Sequence, residues 1–316
     1  MATPHISVCI CTFRRLELLT RLFAKLALQK TDSAFTFSVA VVDNDKEGSA
    51  QATVLALAKQ YNLPTAYEIE PQRNFASVRN RIVRLAKGDY IAFIDDDEVP
   101  VDEWLLNLWT ALLRNKADGA LGPVRPYYDE TPPRWLVKSR LTERPALPTD
   151  LVLNWNQTRT GNVLLAASIF NGRGIRFDER FASGGEDVDF FKRSIQNGCR
   201  FVWCEEAPAY ELVPTDRLRR SYYIRRALLQ GANTCKYADH RMKLAVKSFL
   251  GIFIYSLALP FLALAGQHLF VRYLVKECNH IGTALALLGF QPIGSRDALV
   301  KKAGPESTTT LNHTTN

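Results

Sequence analysis

The sequence predicts an α/β fold: a mostly parallel mixed sheet flanked by helices, followed by a C-terminal helical extension. Three observations predict it. Short apolar runs bounded by turn residues alternate with stretches whose apolar residues recur at helical spacing. Several of those runs end in polar side chains suited to ligand chemistry, as expected of an open parallel sheet that binds ligands at its strand ends. Past Leu218 the alternation stops, and the pattern is helical to about Leu288.

Taken in order, Ile6 to Ile10 reads as a buried strand, Leu16 to Leu28 as a helix and Phe37 to Val42 as a second strand. Ala50 to Tyr61 is helical, Ala66 to Ile69 a short strand, and Ala76 to Ala86 helical again. Tyr90 to Ile94 is a strand, Asp102 to Leu113 a helix, and Ala120 to Val124 another strand. Strands separated by helices call for a parallel sheet covered on both faces. From Arg125 to Thr160 the pattern breaks into a Pro-, Arg- and Trp-rich segment, read as a long functional loop. Asn162 to Phe170 resumes as a strand, Glu186 to Gln196 as a helix and Arg200 to Cys204 as a strand. The expected organisation is a sheet domain over 1–216, a basic and apolar helical extension over 217–290, and a polar, disordered tail over 291–316.

Composition narrows the class. The 316 residues are 47% apolar and 23% charged, which excludes collagen, low-complexity disorder and a polytopic membrane protein. Six cysteines without a Cys-x-x-Cys pair argue against a disulfide scaffold or a zinc site and favour a reducing compartment. Met1 to Pro4 is short and uncharged, so no signal peptide is expected. The net charge of +8 is local. Arg217 to Lys247 carries nine basic residues against one acid, Asp239, which equals the excess of the whole chain. Ser248 to Val271 follows with no Lys, Arg, Asp or Glu, and a basic belt beside a long apolar run fits a membrane surface better than nucleic acid.

The most informative run is Gly88 to Asp97, an apolar strand ending in Asp95, Asp96 and Asp97. Three adjacent carboxylates repel one another unless a cation or donors neutralise them. Carboxylate oxygens suit Mg²⁺ or Mn²⁺, which shares its shell with substrate phosphates. The same run also reads as a solvated acidic turn capping the next helix. Other strands end similarly: in Thr12-Phe13-Arg14-Arg15, in Asp43-Asn44-Asp45, and ahead of Arg73-Asn74 and Arg79-Asn80. Singly each reads as a helix cap or a surface charge; in register along one sheet edge they read as a site. Neither the glycine-rich dinucleotide fingerprint nor a P-loop is present.

Cys11 to Arg15, Val42-Asp43-Asn44, Asn74 to Asn80 and Gly88 to Asp97 together resemble the first half of family 2 glycosyltransferases of the GT-A fold. Gly184 to Phe190 resembles their later Glu-Asp motif, and the resemblance extends over roughly residues 5 to 230. Glu211 to Arg217, Gly122 to Pro126 and Pro133 to Leu136 resemble the bacterial succinoglycan-type subgroup. The resemblance implies a Rossmann-like GT-A domain, a nucleotide-sugar donor and a Mn²⁺ or Mg²⁺ cofactor. Thr12, Arg14 and Asp43 would hold the nucleoside, with Asn74 and Arg79 nearby. Asp95 or Asp96 would face the ribose or donor sugar, and Asp97, with Asp95, would ligate the metal. Asp187, beside Glu186, would be the general base of a single displacement that inverts the anomeric centre. Many relatives supply a His near the end of the second half; here Ala207 to Glu211 has none, which leaves Glu211 as a substitute ligand or as the partner of an arginine such as Arg217.

The expected activity is transfer of a sugar, from UDP in the first instance, to a lipid-linked or cell-surface glycan at the cytoplasmic face of a bacterial inner membrane. Trp135, Trp155 and Arg159 could close over the substrates or simply pack on the sheet. Pro260 and Gln267 are expected to interrupt the apolar run, giving a shallow membrane-seated hairpin or, as the rival, a buried intramolecular one. A processive polysaccharide synthase would need a Gln-x-x-Arg-Trp motif, which is absent. A non-catalytic nucleotide-sugar-binding module is the other alternative, and no nucleic-acid reading motif is present.

Overall fold

The computed structural model describes residues 3–181, 184–235 and 240–290. The expected tail over 291–316, and Lys236 and Asp239 of the basic belt, lie outside the described residues. The chain divides into two compact units, Met1–Pro214 and Thr215–Asn316.

The first unit opens β1 (His5–Thr12), α1 (Leu16–Leu26), β2 (Thr36–Asp43), α2 (Gln51–Gln60), β3 (Thr65–Ile69), α3 (Phe75–Leu85) and β4 (Tyr90–Phe93). It continues with β5 (Glu98–Pro100), α4 (Trp104–Arg114), β6 (Gly119–Leu121), β7 (Val124–Tyr127) and α5 (Arg134–Ser139). It closes with β8 (Val163–Ala166), α6 (Ser168–Asn171), α7 (Glu186–Gln196), β9 (Phe201–Trp203) and β10 (Ala209–Leu212). Seven strands form the main sheet in the order β3-β2-β1-β4-β8-β6-β9, and β5-β10-β7 form a second, smaller one. The first four are mutually parallel and β8 runs against both its neighbours, so the sheet is mixed as expected.

The strand order places the site. From β1 the chain winds outward through β2 to β3, then returns to lay β4 on the other side of β1. The carboxyl ends of β1 and β4 therefore flank the point where winding reverses, which is where open α/β sheets form a ligand crevice. Both faces are dry. Ile6, Val8 and Val41 pack under α1, α2 and α4 with Phe23 and Trp104. Cys9, Val42 and Phe93 pack under α3, α6 and α7 with Phe170, Phe177 and Phe190. Phe190 stacks on Phe177 and Phe170 at centroid distances of 4.4 and 5.3 Å, which fixes the inner face of α7.

Two expected strands are corrected. Ala120 to Val124 is two strands in two sheets, because the chain turns at Gly122-Pro123 to leave the main sheet for the small one. A side chain at Gly122 would run into the Ala207 carbonyl, so only glycine passes there. Asn162 to Phe170 is a strand only over β8, because β4 begins at Tyr90 opposite Ala166 and offers no ladder partner beyond it. The supposed loop from Arg125 to Thr160 also contains β7, α5 and a 3₁₀ turn at Trp155–Gln157.

The second unit is α8 (Arg220–Thr234), α9 (Arg241–Ala265) and α10 (Gln267–Leu287). α8 and α10 approach to backbone contact at Gly231 and Gly282, where Thr283 Oγ1 donates to the Gly231 carbonyl at 3.0 Å. The expected break at Pro260 does not occur: α9 runs through it and ends at Gly266. The outward residues of α9 are large and apolar, Phe249, Phe253, Leu257, Phe261 and Leu264 among them, and each is more than half exposed. The hairpin is therefore not the buried one offered as a rival.

Candidate active site

Thr12 ends β1 with its hydroxyl donating to Asp96 Oδ2 at 2.8 Å. Three residues past the strand, Arg15 Nη1 donates to Asp96 Oδ1 at 2.9 Å and to Asp97 Oδ2 at 3.0 Å. One guanidinium thus spans two of the three carboxylates at the switch point. Asp95 faces solvent, Asp96 is buried and Asp97 is partly covered. Burial, then the Asp95 charge, pushes Asp97 up to about 7 against the pull of Arg15. Burial likewise raises the Asp96 carboxyl.

Two more carboxylates deepen this acidic field: Glu98, which the sequence reading passed over, and Glu211, which it offered as a substitute metal ligand. Glu98 is buried and accepts the Asp95 backbone N–H at 3.2 Å, and its carboxyl is raised by burial first and Asp95 next. Across the β5–β10 ladder it faces Glu211 in register, and the Leu212 N–H donates to the Asp97 carbonyl at 3.2 Å. Glu211 lies 3.9 Å from Arg144. Only the sheet pairing reveals this group, since more than a hundred residues separate Glu98 from Glu211. Arg159 also stands in this field. Burial, then Arg144, pulls its guanidinium down to about 9.

Asp187 and Glu186 open α7 after Gly184 and Gly185, both at positive φ. Consecutive helical positions diverge by about 100°, and the two carboxylates differ accordingly. Asp187 is partly exposed and accepts its neighbour Val188 N–H at 2.9 Å. Glu186 is 2% exposed and ion-paired to Arg79 of α3. Glu186 was expected beside Asp187 in catalysis and Arg79 beside the nucleoside; the structure instead turns both inward onto each other.

Asn74, expected near the nucleoside, also carries structural bonds. Its side chain caps α3 by accepting from the Ala76 and Ser77 N–H groups and donates to the Glu179 carbonyl at 2.9 Å. Asn80 exchanges hydrogen bonds with the Phe177 backbone at 2.8 and 3.0 Å. Asn74 and Asn80 therefore hold Phe177 and Glu179, and Arg79 holds the first turn of α7 at Glu186. Asp43 is fully buried and accepts from the Asp45 and Ala50 N–H groups and the Tyr67 hydroxyl, so it ties down the loop after β2. Arg14 donates to Asp45 at 2.8 and 3.1 Å. Beside it the Phe13 ring carries the Arg14 and Arg73 guanidiniums at 5.4 and 4.7 Å.

Among the described residues, no three His, Cys, Asp or Glu side chains are gathered closely enough to share one metal ion. The donor chemistry nevertheless fits a hard cation that takes most of its ligands from phosphate and water: Asp95 is open, and Asp97 is held against its own repulsion by a single arginine.

Comparison with known proteins identifies the class that this fold and edge define. Residues 7–171 match Glycosyl transferase family 2, and the chain belongs to that family. It is 34% identical over 233 residues to the succinoglycan biosynthesis protein ExoM of Rhizobium meliloti (strain 1021), covering 72% of this chain and 74% of that protein. It is 26% identical to the chondroitin synthase of Escherichia coli over 66% of this chain but only 35% of that much longer protein. The fold is that of the GT-A glycosyltransferases. S. aureus TarS 1-349, solved with UDP-GlcNAc, superposes with a TM-score of 0.53 at 18% identity, over 66% of this chain and 59% of that one. A second TarS structure, with UDP, gives a TM-score of 0.54 at 15% identity.

Proposed function

We propose that the chain is an inverting, divalent-metal-dependent hexosyltransferase. It takes a sugar from a nucleoside diphosphate, UDP in the first instance, and transfers it to a lipid-linked or cell-surface glycan in polysaccharide biosynthesis. The observation that carries this reading is the acidic triplet at the switch point, where Thr12 and Arg15 from β1 meet Asp96 and Asp97 after β4. Kinship to ExoM, named for succinoglycan biosynthesis, and a fold shared with TarS, solved with UDP-GlcNAc, support the donor class and the pathway type.

Asp95 and Asp97 would hold the Mn²⁺ or Mg²⁺ ion, which when bound supplies a Lewis acid for the charge on the departing diphosphate. Thr12 and Asp96, buried and hydrogen-bonded to each other, would support those two carboxylates. Arg15, which bonds both Asp96 and Asp97, would be placed to face phosphate oxygen as well. Arg14 and Phe13 would border the nucleoside, and Asp43 would shape the loop that contacts it. Asp187 would remove the proton of the acceptor hydroxyl as that oxygen attacks the anomeric carbon from the side opposite the nucleotide. One base and one displacement invert the centre.

α9 supplies the attachment. It is 25 residues long with a mean hydropathy of 2.0 in its most apolar window, and only 11% of that window is buried. Arg241, Lys243 and Lys247 lie in its first two turns, where they would meet anionic headgroups while Phe253 to Leu264 enter the acyl region. The enzyme would act, peripheral or monotopic, at the cytoplasmic face of a bacterial inner membrane, and nucleic acid is not a partner.

A donor screen with manganese or EDTA, reading nucleotide release by mass spectrometry and product anomer by NMR, tests the reading. Metal-dependent release from a UDP-sugar with an inverted product is expected. Full activity in EDTA would remove the metal, and a retained anomer would remove the single displacement.

A further inference from the structure

Behind the acidic cluster lies a cavity of about 380 Å³ that the chemistry described so far does not use. Its size falls in the range of about 300–1,000 Å³ typical of small-molecule sites. The Gly122-Pro123 turn, β7 and the segment after α5 enclose it, and Trp203 closes one side. Its surface is mainly apolar: Pro126, Tyr128, Val137 and Pro145 line it together with the indole.

The polar groups are few and fixed. Glu205 accepts from the Trp203 indole N–H at 2.7 Å through one oxygen and from Arg125 at 2.8 Å through the other. Arg125 and Glu205 both line the cavity, and paired they make a donor–acceptor couple of the kind that reads vicinal hydroxyls. Four charged residues line the cavity, Arg125 and Arg144 against Glu143 and Glu205, and their charges cancel. A phosphate or a carboxylate would find no excess positive charge here. An uncharged ring with a CH face and paired hydroxyls finds an aromatic wall and a hydrogen-bonding couple.

Two arginines link the cavity to the reactive edge. Arg144 lines it and is also 3.9 Å from Glu211, which faces Glu98 across the ladder just after Asp97. Arg159 lies over the Trp203 ring at 5.7 Å while standing in the field of Glu98 and Asp95. A ligand seated here would therefore lie on the Arg144 side of the acidic edge.

We propose that this cavity is a subsite for an uncharged pyranose of the acceptor glycan. The acceptor would thus be a neutral sugar at this position. This rests on the glycosyltransferase reading above and adds to it the class of acceptor.

The test uses the full chain and three probes: methyl β-glucopyranoside, methyl β-glucuronide and inorganic phosphate. Saturation-transfer NMR should show contact with the neutral glycoside, unaffected by competing phosphate. Val137→Trp, at a position 49% exposed on α5, should fill the cavity and lower that signal by about tenfold. Tyr128→Leu provides a second variant and should weaken it severalfold, with melting curves checking both folds. UDP binding in the presence of manganese should stay at the wild-type level in both. Preference for the glucuronide, displacement by phosphate, or an undiminished glycoside signal in a folded Val137→Trp protein would overturn the subsite. Failure of wild-type protein to bind UDP would count against the transferase reading instead, and leaves the glycoside result to be judged separately.

Discussion

The two units of the chain dispose of the same residue types in opposite ways. Over residues 3–214 the large apolar side chains fill two layers against a sheet, and charge collects at the strand ends. In the helical unit Phe253, Leu257, Phe261 and Leu264 point outward, while Ser248, Glu277 and Thr283 are buried. Glu277 accepts from Ser256 across the hairpin, and Thr283 bonds the Gly231 carbonyl. The sheet unit packs its large apolar side chains inside, as suits water, whereas the helical unit leaves them on the outer face of α9. The difference teaches that apolar burial orders the first unit, and that the proposed membrane seat rests on the exposed face of α9.

The comparison can be broken or sharpened experimentally. The largest effect is expected within the water-facing unit: Asp187→Asn should lower the transfer rate by about 10²–10⁴-fold with unchanged melting and UDP affinity. Near-wild-type turnover would show that the base is elsewhere. Next, Glu186→Gln should destabilise the fold by about 3–5 kcal/mol, because it leaves Arg79 buried without its counter-charge. The double replacement Arg79→Met with Glu186→Leu should recover most of that loss in chemical denaturation. A catalytic Glu186 would instead cost turnover without stability.

In the helical unit the expected response is reversed. Leu257→Glu with Phe261→Glu should leave the melting temperature of the sheet unit unaltered, yet each removes roughly 1.5–3 kcal/mol of apolar burial in a bilayer. Flotation on anionic vesicles should fall more than about tenfold, and retained flotation would refute the seat.

A smaller effect concerns the acidic edge. Asp97 binds its proton more tightly in the folded protein, up to about 7, than in the unfolded chain, where a carboxyl titrates near 4. Ionising it therefore opposes folding, an effect absent below about pH 4 and complete above about pH 7. Metal-free protein should melt lower as pH rises from about 5 to about 8, and manganese should restore the value at the upper end. A flat profile would mean that Arg15 alone neutralises the triplet. Smallest of all, Asn74→Ala should cost about 1 kcal/mol through the lost α3 cap while UDP affinity stays constant in calorimetry. A fall in affinity would return Asn74 to the nucleotide.

Much of the fold was legible because periodicity is a local property. The helix from Glu186 to Gln196 was read to the residue, and the four parallel strands to within one or two. The chain reversals were not: Gly122-Pro123 looks like a gap in one strand until the second sheet is seen to need it. At the site, the run of carboxylates after β4 announced itself by a repulsion that any fold must relieve. Which partner relieves it was hidden, since Arg15 and Asp97 are far apart in sequence and meet only because β1 and β4 pair.

Read alone, the sequence determined the α/β class, the family, the place of the acidic edge and the confinement of the basic excess to one stretch. Each depends on residue order or composition within a short window. Tertiary structure alone decided that Glu186 and Arg79 are spent on each other, that Asn74 and Asn80 hold Glu179 and Phe177, and that Glu98 faces Glu211. Those assignments turn on which way a side chain points and what lies opposite it. A strand's period or a motif's spacing does not encode either; they arise when the sheet closes and the buried groups must find partners.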